Sequence, residues 1–488
     1  MAERNAVKAG EGLRLGEKIR GLRRQRELSQ VQLAERLGIS ASYLNLIEAN
    51  KRPLPAALLL RVATELGVEL AAFASETDTR IERDLHEVFG DPLFEPHGLT
   101  NADIRELVAA APNVARAVLT LYRGYKSARE STDVLAARMH DEESSVGAPM
   151  SRAPTEEVND MIQERRNHFP DLEARAEQLT VDARLEIDDM YRGLSDYLVR
   201  KHGIKVLIER NVDDRGTLRA FDPRLRELHL SELLPTRSRS FQVAHQLALL
   251  EVGAELDALC ADPLLTSPES RALAKVALAN YFASAVMMPY TRFLRAAMQE
   301  HYDLDVLGRR FRVGFEQVCH RVTTLRRAGA EGVPFHMLRI DVAGNISKRF
   351  SASGIGFARF SGACPKWNVF ASFSTPGMIR IQVSEMPDGQ RYFCIARTVQ
   401  REATGYFSQH PQQAIGLGCR IEHAKELVYA DGVDLGSQRI AAEVGVTCRS
   451  CERNDCAQRA HPSVRHPMRI DENVRGATIY TLSQRKGW

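Results

Sequence analysis

Apolar residues recur along this chain with two different periods, and the change from one to the other divides it. Leu15, Ile19 and Leu22 stand at i, i+4 and i+7, one face of a helix whose other positions are filled by arginines. Ser29 offers an N-cap oxygen for a helix from about Gln30 to Leu37; Gly38 and Ile39 turn, Ser40 caps again, and a third helix runs from about Ala41 to Glu48. Residues 82–126 also read as helix, with Val114, Val118, Leu121, Tyr122 and Tyr125 as a stripe that serves either a core or subunit pairing. The segment 141–154, DEESSVGAPMSRAP, breaks the pattern and reads as a linker. Helical periodicity resumes at Thr155, with short β signals at 204–209 and 227–230. After Pro334 the period falls toward two. Residues 336–342 and 346–350 flank Ala343-Gly344-Asn345, and 378–383 and 391–399 flank Met386-Pro387-Asp388-Gly389, two hairpin signals. With 369–373 they predict an antiparallel sheet. The fold expected is multidomain, mainly α with an α+β C-terminal part, divided as 10–75, 80–140, 155–330 and 331–488.

Composition sharpens this picture without overturning it. With 488 residues, 44% hydrophobic and 26% charged, the chain has the make-up of a globular protein of about three domains, at roughly 100–200 residues each. The opening MAERNAVKAGEG lacks the apolar stretch of a signal peptide, and the most apolar run, 272–289, is interrupted by Lys275 and Asn280. The expectation is a cytoplasmic, soluble protein with no membrane partner. A net charge of +3 does not mark the whole molecule as a nucleic-acid binder, yet residues 14–60 hold nine Lys/Arg against four Glu, a local +5. The rest is slightly acidic.

That basic segment, Ser29 to Leu54 (SQVQLAERLGISASYLNLIEANKRPL), resembles the Xre/lambda-repressor-like helix-turn-helix family. The resemblance implies a second helix lying in the DNA major groove, which turns Ala41, Ser42, Tyr43, Asn45 and Leu46 toward base edges. Gln30 and Ser40 sit at helix N-termini, where amide donors and the helix dipole favour phosphate, and Arg20, Arg24, Lys51 and Arg52 add cations. The expected partner is a double-stranded operator, read by a homodimer or higher homo-oligomer.

Farther on, FQVAHQLALLE (241–251) and LANYFASAVMMP (278–289) resemble the IrrE-type, zincin-like domain. Its chemistry needs two His one helical turn apart on a metal, with an intervening Glu as general base. Here His245 is kept, but Gln246 stands for the Glu and Leu249 for the second His, and 272–279 contains no acidic ligand. Gln cannot take a proton from metal-bound water, so the reading is a scaffold with no catalytic residues, and a repressor-cleaving metallopeptidase is the alternative it displaces. Residues 303–325, a second helix-turn-helix shape, are read as packing inside this domain.

Of eight cysteines, Cys448, Cys451 and Cys456 fall within nine residues, a spacing that lets three thiolates share one metal. A closed site needs a fourth ligand, for which Cys419 is the first candidate and His461 the second. Spacing leaves zinc and iron–sulfur both open. The aromatics Phe357, Phe360, Trp367 and Phe370 serve either as core or as walls for a small apolar ligand. The order of an Xre-type head, a degenerate IrrE-like middle, FARFSGACPKWNVF and CRSCERNDCAQRA resembles the short-chain fatty acyl-CoA regulators, which include regulators of the methylcitrate and glyoxylate cycles in mycobacteria and corynebacteria. The resemblance implies a one-component transcription regulator, not an enzyme. Its implied effector is an acyl-CoA, and its implied cofactor a 4Fe–4S cluster on Cys448, Cys451, Cys456 and Cys419, with Zn2+ as the alternative. Within the matched motif, Phe357, Arg359, Phe360, Lys366 and Trp367 are the effector candidates, the two cations for CoA phosphates. A regulator that senses only redox state through its cluster is the remaining alternative.

Overall fold

The computed structural model describes residues 28–48, 54–66, 76–91, 99–138, 154–210, 217–358, 363–400, 411–449, 451–453 and 456–461, apart from a few positions within 76–98, together with isolated positions between 16 and 94. The linker expected at 141–154 lies almost wholly outside them, as do Lys51, Arg24, Arg359 and Phe360. The chain forms two compact units, Met1–Tyr122 and Arg123–Trp488.

In the first unit, helices α1 (Gln30–Leu37) and α2 (Ala41–Glu48) fall where the capping signals put them. The Ser29 hydroxyl accepts from the Gln32 amide while the Gln32 side chain accepts from the Ser29 amide, a reciprocal capping box. Gly38 ends α1 at φ 61°, a left-handed position that favours glycine. Helix α3 (Ala56–Leu66) closes the bundle over Ile19, Leu33, Leu37, Leu44, Ile47 and Val62. Helices α4 (Glu76–Val88), α5 (Asn101–Ala110) and α6 (Pro112–Arg138) follow. The buried stripe of α6 is Ala115, Leu119 and Tyr122, whereas Val114 and Leu121 of the expected stripe are 52% and 75% exposed. Alanine is small enough to escape a reading based on bulky apolar residues.

The second unit begins with α7 (Pro154–Glu164), α8 (Pro170–Asp182) and α9 (Met190–His202). A three-stranded sheet follows, ordered β1 (Lys205–Glu209), β3 (Glu227–Ser231), β2 (Arg219–Asp222), with β1–β3 parallel and β2–β3 antiparallel. Next come α10 (Thr236–Glu251), α11 (Gly253–Cys260), α12 (Pro268–Met287), α13 (Tyr290–Gln299), α14 (Leu304–Arg310) and α15 (Phe315–Thr323). The α14–α15 pair is the second helix-turn-helix shape, and it packs inward: Val318, Cys319, Arg321 and Val322 of α15 have no exposed surface. Among the described residues no single helix is long and apolar enough to cross a membrane; α12 and α13 pass such a test only as a pair bent by 67°.

A buried ion pair holds these helices together. Arg321 donates to both oxygens of Glu173 at 2.6 and 2.9 Å and to the Met288 carbonyl at 2.9 Å, and the Tyr281 hydroxyl donates to Glu173 at 2.7 Å. One residue each from α8, α12, the α12–α13 turn and α15 is thereby fixed with its polar atoms satisfied.

After a small hairpin (β4 Arg326–Arg327, β5 Ala330–Glu331), six strands order as β11-β8-β9-β10-β6-β7. They are β6 (His336–Asp341), β7 (Ile346–Ser351), β8 (Arg380–Glu385), β9 (Arg391–Gln400), β10 (Gln412–Arg420) and β11 (Ala441–Glu443). Both expected hairpins form. Residues 369–373, expected as a strand, are helical: α16 (Asn368–Ala371) continues into a 3-10 turn. A short apolar run does not distinguish strand from helix by period, and here it lies across β9 and β10 as part of a covering layer.

Substituting Arg321→Met leaves the Glu173 carboxylate buried without its partner. Urea unfolding should then show the second unit destabilised by about 3–5 kcal/mol. Burial pushes the Glu173 pKa up, but Arg321 and Tyr281 outweigh it and hold the carboxyl below its usual range. Its contribution is therefore present above the ordinary glutamate pKa and is lost as pH falls through the depressed value. The unfolding midpoint of the wild type should drop more steeply on acidification than that of Glu173→Gln.

Candidate functional site

In the first unit, Ser42, Asn45 and Leu46 are exposed along α2, with Ala41 and Tyr43 half-buried beside them. The Ser40 hydroxyl accepts from the Tyr43 amide at 3.1 Å, and the Arg52 guanidinium lies 5.3 Å over the Tyr43 ring, so each fixes the other. Gln30 is differently employed than expected. Its amide donates to Asn45 at 3.3 Å and to Glu48 at 3.0 Å, which makes it an orienting group for Asn45.

Glu48, fully buried, is the residue that sequence reasoning missed. Arg23 donates to both of its oxygens at 2.7 and 3.0 Å, and Arg20, expected as a phosphate contact, lies 3.4 Å away. Burial works against the charge of Glu48, yet the hydrogen bonds and charge of Arg23 hold its carboxyl below the usual range. The single acidic residue of α2, at the end of its apolar stripe, was the available signal.

In the middle of the second unit, α10 and α12 carry the remnant of the metallopeptidase site. His245, 3% exposed, shares a hydrogen bond from Nδ1 to Asn280 Oδ1 at 2.8 Å. Gln246 is buried and Leu249 packs against the core, so neither supplies metal chemistry. Burial and the nearby Arg219 charge bring the His245 pKa down to about 4, so the ring is neutral at physiological pH.

The C-terminal sheet is covered on both faces, and this separates the cysteines into two layers. On β10, Ile415, Leu417 and Cys419 point into the core shared with the helices, while Ala414 points to the opposite layer. Cys364 and Val444 belong to that opposite layer. A pocket there is lined by Cys364, Cys448, Cys451 and Cys456 together with Arg453 and Arg459. Cys419, expected as the fourth ligand, is on the other face, whereas Cys364 lines the pocket with the three clustered cysteines; His461, the second candidate, is exposed and does not line it. Cys364 is brought in by a bridge between Ala363 and Thr447 and by its amide donating to the Val446 carbonyl at 3.0 Å. The signal available was FSGACPKW itself, a cysteine inside one of the two most specific motifs.

The arginines near this pocket do more than offset charge. Arg459, 5% exposed, donates to the carbonyls of Cys448 at 2.7 Å, Cys451 at 3.1 Å and Arg453, fixing the loop that carries the thiols. Gly445 leaves room for Cys451, whose sulfur would stand 3.0 Å from a β-carbon there. Among the described residues no group of three or more His, Cys, Asp or Glu side chains is arranged to hold a metal ion. The donor set, four thiols around one pocket, fits a sulfur-loving metal group.

Phe357 and Trp367 stack edge to face at 5.6 Å, and Phe357 meets His336 at 5.8 Å. Trp367 is buried and Phe357 packs against the same layer, so both belong to the core under the sheet; Lys366 is half-exposed, with its carbonyl accepting from Gln382. A cleft of about 1270 Å³ opens elsewhere, where α14, α15 and the start of α10 face the end of β9. Arg237, Arg309, Arg312 and Arg397 line it together with the buried Met190 and Met287.

These sites define a class: a DNA-binding transcription regulator whose enzyme-like middle domain has lost its catalytic groups. Family models match in the same order, a helix-turn-helix over residues 19–73, an IrrE N-terminal-like domain over 199–323 and the C-terminal part of the short-chain fatty acyl coenzyme A regulators over 324–480. The chain is 40% identical to the HTH-type transcriptional regulator RamB of Mycobacterium tuberculosis, over 96% of this chain and 99% of RamB. It is 38% identical to the HTH-type transcriptional regulator PrpR of the same species, over 96% of both chains. A propionyl-CoA carboxylase regulator of Cereibacter sphaeroides is 37% identical over 96% of this chain and 98% of its own. A solved M. tuberculosis transcriptional regulator shares its fold at TM-score 0.65 and 41% identity, over 67% of this chain and 99% of that one. The chain belongs to the short-chain fatty acyl-CoA regulator family, and it is a regulator, not an enzyme.

Glu48→Ala removes the shared acceptor of Arg23 and Gln30 and leaves a buried guanidinium unpaired. Thermal unfolding should show the DNA-binding unit destabilised by about 3–5 kcal/mol, with the transition of the second unit unmoved.

Proposed function

We propose that the chain is a cytoplasmic homodimeric regulator that binds an operator through α2, senses a short-chain acyl-CoA and carries a 4Fe–4S cluster on Cys364, Cys448, Cys451 and Cys456. The observation that carries the sensing half is a large cleft in the unit whose end matches the acyl-CoA regulators. The cleft exceeds the roughly 300–1,000 Å³ of drug-sized ligands, as an extended nucleotide thioester demands. Arg237 and Arg309 suit phosphates and the methionines an acyl end, while Arg312 and Arg397 are paired with Asp188 and Asp305 of the same lining. This reading moves the effector away from Phe357 and Trp367, which the core occupies.

Four thiols at one pocket can serve a 4Fe–4S cluster or one tetrahedral zinc, and the iron–sulfur reading rests on the family resemblance. The chain's part is to hold the thiolates in place, with the Arg459 guanidinium organising the loop beneath them. On DNA, Asn45 held by Gln30 reads a base edge, and Arg52 stacked on Tyr43 contacts phosphate.

Binding to the upstream region of the protein's own gene, followed by gel shift, tests the reading. Asn45→Ala should cost about 1–3 kcal/mol and relax specificity, whereas Arg52→Ala should weaken all sequences alike and reduce the salt slope by about one. Propionyl-CoA should alter the shift; indifference to every short-chain acyl-CoA would sink the sensor. Purified without oxygen, the protein should be brown, and Cys364→Ala should lose its iron while Cys419→Ala keeps it. A colourless protein with one tight zinc would replace the cluster by a structural site.

A further inference from the structure

The large cleft carries negative charge as well as positive. Four arginines line it, and so do the carboxylates Asp188, Asp189, Asp305 and Glu316. One ion pair among them differs from the pairs that fix the architecture. Arg397, near the end of β9, donates from Nη1 to Oδ1 of Asp305, in the first turn of α14, at 2.6 Å. The Arg397 side chain is 26% exposed and that of Asp305 44%, against 0% and 1% for Arg321 and Glu173. A pair this open to water contributes little to stability and breaks at small cost. The neighbouring Arg339–Glu316 pair is more enclosed and ties α15 to β6 at 2.7 Å.

Arg397 has a second support. Its guanidinium lies 4.9 Å over the Phe315 ring of α15, a contact that does not need Asp305 and keeps the cation at the cleft once the carboxylate lets go. Asp305, when released, is solvated. A guanidinium presents five donors in a fork that matches a phosphate, and Asp305 engages it through one oxygen. We propose that Asp305 and the anionic part of the effector compete for Arg397. Binding then exchanges an ion pair inside the protein for one with the ligand. The exchange removes the charged tie between α14 and β9, while Arg339 and Glu316 keep α15 on the sheet. Asp305 is thus a built-in competitor that lowers affinity, and Arg397 passes occupancy of the cleft to the junction of helices and sheet. The exchange rests on the acyl-CoA reading of the cleft.

Calorimetric titration of the full chain with propionyl-CoA at low salt tests it. Asp305→Asn should tighten binding about two- to fivefold, the worth of a partly exposed ion pair, and leave the unfolding midpoint nearly unchanged. Arg397→Met should weaken binding about tenfold, the loss of one charge-assisted hydrogen bond, with Arg397→Lys intermediate because it keeps the charge. In the double variant, Asp305→Asn should bring no gain over Arg397→Met alone, because the competitor has nothing left to compete for. A gain of the same size in both backgrounds, or an equal gain from Asp189→Asn in the same lining, would mean that loss of any negative charge suffices and would overturn the exchange. Saturable binding that Asp305→Asn leaves unchanged overturns it too, and leaves the acyl-CoA reading standing. No saturable binding by either the wild type or Asp305→Asn overturns that reading and the exchange with it.

Discussion

Strands β9 and β10 are buried on both faces, and the arrangement of the second unit follows from that constraint. Side chains alternate along a strand, so each strand must satisfy two different neighbours at once. On β9, Phe393 and Ile395 enter the helical core, while Tyr392, Cys394 and Ala396 enter the layer formed by Ile355, Trp367 and Val369. On β10 the second layer meets mainly small residues. A β-carbon on Gly418 would lie 2.6 Å from the His336 ring and 2.7 Å from the Phe393 carbonyl, and one on Gly416 would lie 3.0 Å from Leu338. Those glycines let the neighbouring side chains close over the strand. A slip of one residue would exchange the two faces, so the register is strongly specified.

This two-sided burial ties the sheet to the helices and sets where ligands can act. Arg397 at the far end of β9 donates to Asp305 of α14 at 2.6 Å and lies 4.9 Å over the Phe315 ring of α15. Arg339 of β6 donates to Glu316 of α15 at 2.7 Å. The large cleft is bordered by α14, α15 and the end of β9, so an effector in it touches the helical part and the sheet together. Any coupling to DNA then requires that the effector bind two arrangements of this junction with different affinity. The cysteine pocket lies on the opposite side of the sheet, which gives a second input its own surface.

Much of this was legible in the sequence where local chemistry dominates. Ser29, Gly38 and Ser40 marked α1 and α2 because caps act on their own backbone, and the residues around Gly344 and Gly389 marked both hairpins for the same reason. The retained His245 beside Gln246 and Leu249 was enough to reject catalysis, since chemistry depends on residue type. What escaped was long-range. Cys364 lies 84 positions from Cys448 in the numbering, and only the covering of the sheet brings them to one pocket. Cys419 looked nearer, but alternation turned it to the other face. The strand β10, with glycines at alternate positions, carries little hydrophobic signal of its own, and the cleft belongs to no segment at all.

The treatment of buried charge separates structural from functional positions. Two buried arginines are met by carboxylates: Arg23 has Glu48, and Arg321 has Glu173 at full burial on both sides. Such pairs add little net stability over an apolar substitute, but removal of one member is severe, so they enforce a single packing. Arg459 differs: it is 5% exposed and met by backbone carbonyls of the cysteine loop, which leaves its positive charge beside the thiols that line the same pocket.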